Sequence, residues 1–346
     1  MNVLLTSAGR RSYMIEFFKN ALSGQGEVHA CNNELSVALI HADKAIISPD
    51  IYSNNYIDFL LKYCIKNDIK LVVPLFDLDL PVLSANRKLF EKHGIFLLVS
   101  DIGVVNICND KYMTYLFLKK HNIATPETCL TIDETKKLLK EKKISFPLIV
   151  KPRWGMGSIC LYQVDSLEEL HTVYCKVKND IFKTYVKYES EKDMYKCVII
   201  QNKLVGQEYG IDVINDLSGN YITSVPKIKI SQRAGETDIA RVIKHKSLSL
   251  FSKKIAHLLK HIGNLDLDCF IANRKIYVLD LNCRFGGQYP FSHFAGINLP
   301  VQIIKWLRGE KTDMRLFSFN NDCVFAKDIT LTKLEINGRG GCNEKT

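Results

Sequence analysis

Short apolar runs alternate with stretches of helical spacing through the first hundred residues. Residues 3–5, 28–31, 71–74 and 96–99 are brief and apolar, the pattern of buried strands. Between them Tyr56, Phe59, Leu60, Tyr63 and Cys64 recur at helical spacing and predict a helix with one buried face. T-S-A-G-R-R turns the first strand into a helix starting near Ser12. Strands alternating with helices predict a parallel α/β domain over residues 1–105.

The pattern then changes. Asn109-Asp110-Lys111 carries N-capping chemistry ahead of Tyr112, Tyr115 and Leu116. The apolar run F-P-L-I-V-K-P at 146–152 predicts a strand that ends on Lys151 and leads into R-W-G-M-G-S. Another strand is expected at 197–201, continuing through N-K-L-V-G-Q-E-Y-G-I-D-V. In residues 225–236, Lys227 and Lys229 alternate with apolar positions and share one strand face, which a solvated sheet face explains equally well. Phe251, Ile255, Leu258, Leu259 and Ile262 mark an amphipathic helix ending near Gly263.

After that helix, L-D-L-D-C-F-I and I-Y-V-L-D-L-N-C-R-F-G-G flank A-N-R-K and predict a hairpin. Asp280, Asn282 and Arg284 alternate on the second strand and share a face. A three-residue loop would set Asp268 opposite Asp280; a two-residue loop would put them on opposite faces, because one step of register flips every side chain. Facing carboxylates repel unless a cation sits between them or one stays protonated. Residues 311–346 include a strand-like run at 323–331 and a polar, Gly-rich end, with no function assigned.

Composition narrows the class. The 346 residues, 47% hydrophobic and 24% charged, suffice for two or three domains. The net charge of +10 is spread along the chain. It suits an anionic small ligand, and no tight basic tract points to nucleic acid. Eleven Cys without C-x-x-C or zinc spacing argue for a reducing, cytoplasmic setting, and Cys64, Cys108, Cys197 and Cys269 sit in apolar contexts as small hydrophobes. The opening M-N-V-L-L-T lacks the features of a signal peptide, and no run approaches the ~18 apolar residues of a membrane span.

Candidate chemistry follows from the strand ends. Gly9 followed by Arg10 and Arg11 breaks the dinucleotide fingerprint G-x-G-x-x-G, which disfavours a dehydrogenase; the two Arg suit a substrate carboxylate or plain surface. Asp77 and Asp79 follow a strand at the sheet end where parallel sheets bind ligands, or cap a helix. Lys151 before Gly155, Gly157 and Ser158 could place an ammonium and backbone N–H groups around phosphates, although no G-K-[ST] follows as in a P-loop. Asp280 and Asn282 offer the oxygen donors that a hard divalent cation prefers, with the Arg284 guanidinium suited to phosphate.

Lys151, the glycine loop, Glu208, Asp268 and the D-L-N-C-R run, in this order, resemble the ATP-grasp superfamily over about residues 1–310. The similarity is to the branch of carbamoyl-phosphate synthetase large-subunit domains, biotin carboxylase and amino-acid ligases. It implies an α/β and α+β architecture: a Rossmann-like pre-ATP-grasp domain over 1–105, a small lid subdomain over 106–200, and a large subdomain with C-terminal extension over 201–346. By the resemblance, Lys111 and Lys151 contact ATP phosphates or the adenine edge, and Gly155, Gly157 and Ser158 close over the phosphates. Gln201, Asn202, Lys203 and Leu204 form the hinge that reads adenine, and Glu208 meets the ribose. Asp268, Asp280 and Asn282 are implied as Mg2+ (or Mn2+) ligands and Arg284 as the arginine facing the transferred phosphate. Asp stands at 280 where Glu is usual and at 268 where Gln or Glu is common, so the metals sit differently or bind more weakly.

The activity implied is ATP-dependent carbon–nitrogen ligation of a small-molecule carboxylate and an amine through an acyl phosphate, by a stand-alone enzyme. Homodimers are frequent among such relatives. The substrate-pocket candidates are Arg10, Arg11, Asp77, Gly286, Gly287, Tyr289 and His293, the last with a structural role ahead of a basic one. The alternatives are a bicarbonate-using carboxylase or carbamoyl-phosphate-type enzyme and an ATP-binding regulator without catalysis.

Overall fold

The computed structural model describes residues 1–334. Three sheets organise the chain. The first is a five-stranded parallel sheet of β1 (Asn2–Thr6), β2 (Val28–Asn32), β3 (Lys44–Ile47), β4 (Ile69–Pro74) and β5 (Phe96–Leu97) in the order β3-β2-β1-β4-β5. The expected parallel α/β domain is present, with β3 as a fifth, half-exposed edge strand that its mixed K-A-I-I pattern did not signal. Helices Ser12–Leu22 and Tyr56–Lys66 cover the sheet, burying Met14, Ile15 and Phe18 on one and Tyr56, Leu60 and Cys64 on the other. The order reverses between β1 and β4, so the loops after these two strands open a crevice at the sheet's C-terminal end.

The second sheet has four antiparallel strands: β6 (Thr128–Cys129), β7 (Leu148–Pro152), β8 (Tyr162–Val164) and β9 (Val198–Asn202), in the order β6-β9-β7-β8. Its own apolar cluster, including Leu148, Val150, Leu170, Val177 and Ile200, packs the helix Leu167–Ile181 against it. The helix Lys111–Lys120 leads into this part. As its sequence foretold, Asp110 caps it, accepting from the N–H groups of Tyr112 at 2.9 Å and Met113 at 3.2 Å. The same carboxylate holds Arg153 through two bonds of 2.8 and 2.7 Å, fixing the start of the glycine loop to the helix.

The third sheet is antiparallel: β10 (Gln207–Asn215), β11 (Tyr221–Arg233), β12 (Glu236–Val242), β13 (Gly263–Ala272), β14 (Lys275–Asn282) and β15 (Cys323–Ala326), in the order β14-β13-β10-β11-β12-β15. The helix Lys246–Leu259 covers it, and β15 falls within the strand-like run expected at 323–331. One apolar cluster runs from Val3, Leu5 and Val73 of the first sheet to Ile214, Val225 and Val242 of the third, so the two pack as one core. Arg11 reinforces the junction by donating to the carbonyls of Leu75 and Phe285. Among the described residues no helix is long and apolar enough to cross a membrane.

The β13–β14 hairpin corrects one expectation and preserves another. Its turn has two residues, Asn273 and Arg274, both at positive φ (+49° and +63°), with Ala272 opposite Lys275. Simple parity would then separate Asp268 from Asp280. A bulge at Leu279 shifts the register by one, since Cys269 pairs with Val278 but Asp268 pairs with Asp280. The two carboxylates therefore face one another after all.

Candidate active site

Where the three sheets converge, a cavity of about 570 Å3 opens, a volume typical of small-molecule sites. Its floor is the β13–β14 hairpin. The pairs Asp266–Asn282 and Asp268–Asp280 put three carboxylates and an amide on one face. Each carboxylate is met by a cation from another element. Lys111, at the start of its helix, donates to Asp280 at 2.7 Å. Lys229 of β11 lies 2.7 Å from both Asp268 and Glu208. Arg284, only 9% exposed, bridges Asp266 and Asp77 at 2.9 Å each, which joins the floor to the first domain. The Gln288 amide also donates to Asp266, and to Asp268 at 3.4 Å.

These pairings set the protonation states. Recession into the cavity opposes the charge on Asp280, but Lys111 and Lys151 outweigh it and hold its pKa below the usual carboxylate range. Burial likewise opposes the Arg284 charge, and Asp77 with Asp266 more than restores it. Asp268 goes the other way: desolvation and the Asp266 charge, against Lys229, push it up to about 6. Such crowding of carboxylates is what a divalent cation relieves. Asp268, Asp280 and Asn282 present only oxygen donors, which fit a hard cation such as Mg2+. Among the described residues, no group of three or more His, Cys, Asp and Glu side chains is gathered into a ligating cluster.

The wall is different. Lys151, on β7, is 5% exposed, lines the cavity and makes no hydrogen bond or ion pair among the described residues. Burial lowers its pKa to about 8, with Asp280 raising and Lys111 further lowering it. Above it run Gly155, Gly157 and Ser158, the last two at φ +59° and +55°. This loop rests on the β11–β12 turn: a Cβ on Gly235 (φ +76°) would lie 2.4 Å from the Gly157 carbonyl carbon. Only glycine permits that approach.

At the β1–β4 crevice, Arg10 lines the cavity and is exposed, while Arg11 is committed to backbone carbonyls. Asp77 is 4% exposed; its Oδ2 takes Arg284 and its Oδ1 has no partner. Neither Asp77 nor Asp79 caps a helix with its side chain. Asp79 is instead fully buried and bonded by Thr6, Ser7 and Tyr56, and burial raises its pKa. Phe76 and Tyr185 meet edge to face at 5.6 Å between centroids beside Asp77.

Of the residues singled out by sequence, the cavity gathers Arg10, Arg11, Asp77, Lys111, Lys151, Gly155, Gly157, Ser158, Glu208, Asp268, Asp280, Asn282, Arg284 and Gly287. The proposed hinge lies elsewhere. Gln201 donates to Thr128 at 2.9 Å, while Asn202, Lys203 and Leu204 line a second groove of about 690 Å3. Gly286 backs the floor, where a Cβ would come within 2.2 Å of Asp266 Oδ2. Tyr289 is fully buried, its hydroxyl accepting from the Leu299 N–H at 3.1 Å. His293 stacks on Phe17 at 3.6 Å, and burial lowers its pKa to about 4; it packs behind the cavity as a neutral ring.

Sequence reasoning missed Asp266, Lys229 and Gln288 as site residues. The alternation in L-D-L-D carried the first, since Asp266 shares its face with Asp268. Lys227 and Lys229 do share a face, but it is not solvated. Lys227 is fully buried and bonded to Asp212 at 2.7 Å and Ser292 at 2.9 Å, and the Lys229 side chain is 8% exposed. No pattern signals Gln288, whose position depends on Gly210, where a Cβ would collide with its side chain.

A parallel α/β domain, a small antiparallel sheet and a large antiparallel sheet around a cavity of lysines and carboxylates define the class of protein. A family model described as the ATP-grasp domain matches residues 108–288, and one described as the PylC-like N-terminal domain matches residues 3–98. The chain belongs to the ATP-grasp family, whose enzymes are ATP-dependent ligases that form carbon–nitrogen bonds. Solved structures agree in fold. Rhizobium etli pyruvate carboxylase matches with a TM-score of 0.74 at 15% identity over 93% of this chain, which spans only 30% of that one. Campylobacter jejuni biotin carboxylase, in a complex with an ATP analogue, matches at 0.73 and 16% identity, covering 93% of this chain and 74% of that one. The L-amino acid ligase of Bacillus licheniformis matches at 0.67 and 18% identity, covering 89% and 75%.

Proposed function

We propose that the protein uses ATP and Mg2+ to join a small-molecule carboxylate to an amine through an acyl phosphate. One observation carries the reading. Lys151 is a buried ammonium with no hydrogen bond or ion pair among the described residues, facing a carboxylate-lined floor under a glycine loop. A buried cation without a partner is costly, and a phosphate group supplies the missing anion. Lys111 and Lys151 would hold the phosphates, the 155–158 loop would cover them, and Glu208 would take the ribose. Asp268, Asp280 and Asn282 would hold Mg2+, which neutralises phosphate charge during transfer.

The chain's own groups then do the remaining work. Lys111 exchanges Asp280 for phosphate as nucleotide arrives. Arg284, held rigidly between Asp77 and Asp266, directs its guanidinium at the charge that develops on the migrating phosphoryl group. The substrate carboxylate attacks the γ-phosphorus and ADP leaves; the amine, once its ammonium has lost a proton to water, attacks the acyl carbon, and phosphate leaves with the proton that the nitrogen sheds. The seating of the glycine loop on Gly235 keeps water from the acyl phosphate.

ADP release measured against mixtures of acids and amines tests this. The expected result is release that needs both partners, with an amide product. In Asp280→Asn that release falls about a thousandfold or more, the loss of a charge-stabilising group in the transition state. Release that requires bicarbonate and yields no amide would sink the reading in favour of a carboxylase. Nucleotide binding without turnover under any mixture would favour a binding protein.

A further inference from the structure

The cavity holds two charged groups that the nucleotide and its metal do not use, both at the β1–β4 crevice. Arg10, exposed in the cavity, makes no hydrogen bond or ion pair among the described residues, although Arg11 beside it is fully engaged. Asp77 is buried and keeps one oxygen, Oδ1, with no partner. The two follow adjacent strands, β1 and β4, at the point where the sheet order reverses. Open parallel sheets bind ligands there. An unpaired buried acceptor calls for a donor, and a free guanidinium calls for a carboxylate. Between the first domain and the lid, Phe76 and Tyr185 add an aromatic side to the same crevice, continued by Met156, Ile159 and Leu161.

We propose that the amine-donating substrate is a zwitterionic amino acid with a large apolar or aromatic side chain. Its ammonium sits on Asp77 Oδ1, its carboxylate on Arg10, and its side chain against Phe76 and Tyr185. The placement orients the amine: Asp77 Oδ2 is 2.9 Å from Arg284, so a nitrogen on Oδ1 lies one carboxylate away from the arginine assigned to the phosphoryl group. The proposal rests on the ligase reading and adds the identity of the second substrate.

Calorimetric titration of the full chain loaded with Mg2+ and a non-hydrolysable ATP analogue tests it. The probes are L-phenylalanine, 2-phenylethylamine, which lacks the carboxylate, and 3-phenylpropanoate, which lacks the amine. L-Phenylalanine should bind about tenfold or more tighter than either, the contribution expected of one charged hydrogen-bonding group. Arg10→Ala, at an exposed position, should bring it to the affinity of phenylethylamine. Asp77→Asn, checked for folding by its melting curve, should bring it to that of phenylpropanoate. Equal binding of phenylalanine and phenylethylamine, or no binding of any probe to the nucleotide-loaded protein, overturns the proposal and leaves the ligase reading intact. Failure of the wild type to bind the analogue at all counts instead against the ligase reading.

Discussion

The floor and the wall of the cavity solve the same electrostatic problem in opposite ways. On the floor, Asp266, Asp268 and Asp280 each meet a cation within 2.9 Å, and Arg284 and Lys229 each serve two acids. On the wall, Lys151 is withdrawn further from water, and its ammonium makes no hydrogen bond or ion pair among the described residues. On the floor the carboxylates already hold their cations, so a ligand there must displace partners in place. The lone lysine displaces nothing, and an incoming anion removes a desolvation penalty already incurred in the empty protein. Removing a positive charge should therefore have opposite consequences at the two places.

Arg284→Met gives the largest effect. It leaves Asp77 and Asp266 recessed without their guanidinium, and breaking such a pair costs about 3–5 kcal/mol. The denaturant midpoint should fall accordingly, with turnover lost. A variant as stable as wild type would mean that the floor is wetter than its exposures indicate.

Lys151→Met should do the reverse. The folded pKa of about 8, against an ordinary 10.5, means that the folded state binds the proton less tightly than the unfolded chain. The penalty is present in full below pH 8 and disappears as pH rises from 8 to 10.5. Its size follows from about 1.4 kcal/mol per pKa unit, on the order of 3 kcal/mol. The variant should thus be about 2–3 kcal/mol more stable than the nucleotide-free wild type at pH 7, with the gap closing toward pH 10.5, and should fail to bind ATP. Denaturation at several pH values and nucleotide titration check both halves. A destabilised variant would show that Lys151 has a partner in solution.

The difference between floor and wall also explains what the sequence could say. The β13–β14 alternation displays Asp268, Asp280, Asn282 and Arg284 directly, because period-two patterning is a local property. The bulge at Leu279 is not local: it is where the two-residue Asn273-Arg274 turn and the facing of Asp268 with Asp280 are reconciled, and nothing in V-L-D announces it. Lys151 was legible as the end of an apolar strand before a glycine loop, but its solitude was not, since that depends on Lys111 and Lys229 engaging Asp280 and Asp268 from distant segments. Lys229 reads locally as a solvated strand face, because its burial depends on Glu208 and Asp268, which meet it from β10 and β13. Tyr289 and His293 follow β14 closely in sequence, yet the Gly286-Gly287 break turns them into the core against Phe17 and Leu299.

The smallest expected effect tests whether the wall's isolation depends on the glycine loop. Gly235 has φ +76°, and a side chain there meets the Gly157 backbone at 2.4 Å, a contact that rotamer changes cannot relieve. Gly235→Val should therefore hold the glycine loop away from the cavity. The β11–β12 turn is exposed, so the core is untouched, and stability should fall by about 1–3 kcal/mol, the cost of a β-branched residue at positive φ. The KM for ATP should rise about tenfold, equivalent to about 1.4 kcal/mol of lost closure. With the loop lifted, water reaches Lys151 and its pKa returns toward 10.5, so the buried charge ceases to be costly. Lys151→Met should then stabilise the Gly235→Val protein by less than half of what it adds in wild type. A double-mutant cycle on denaturant midpoints measures this coupling. Strict additivity would show that strand β7 buries Lys151 without help from the glycine loop.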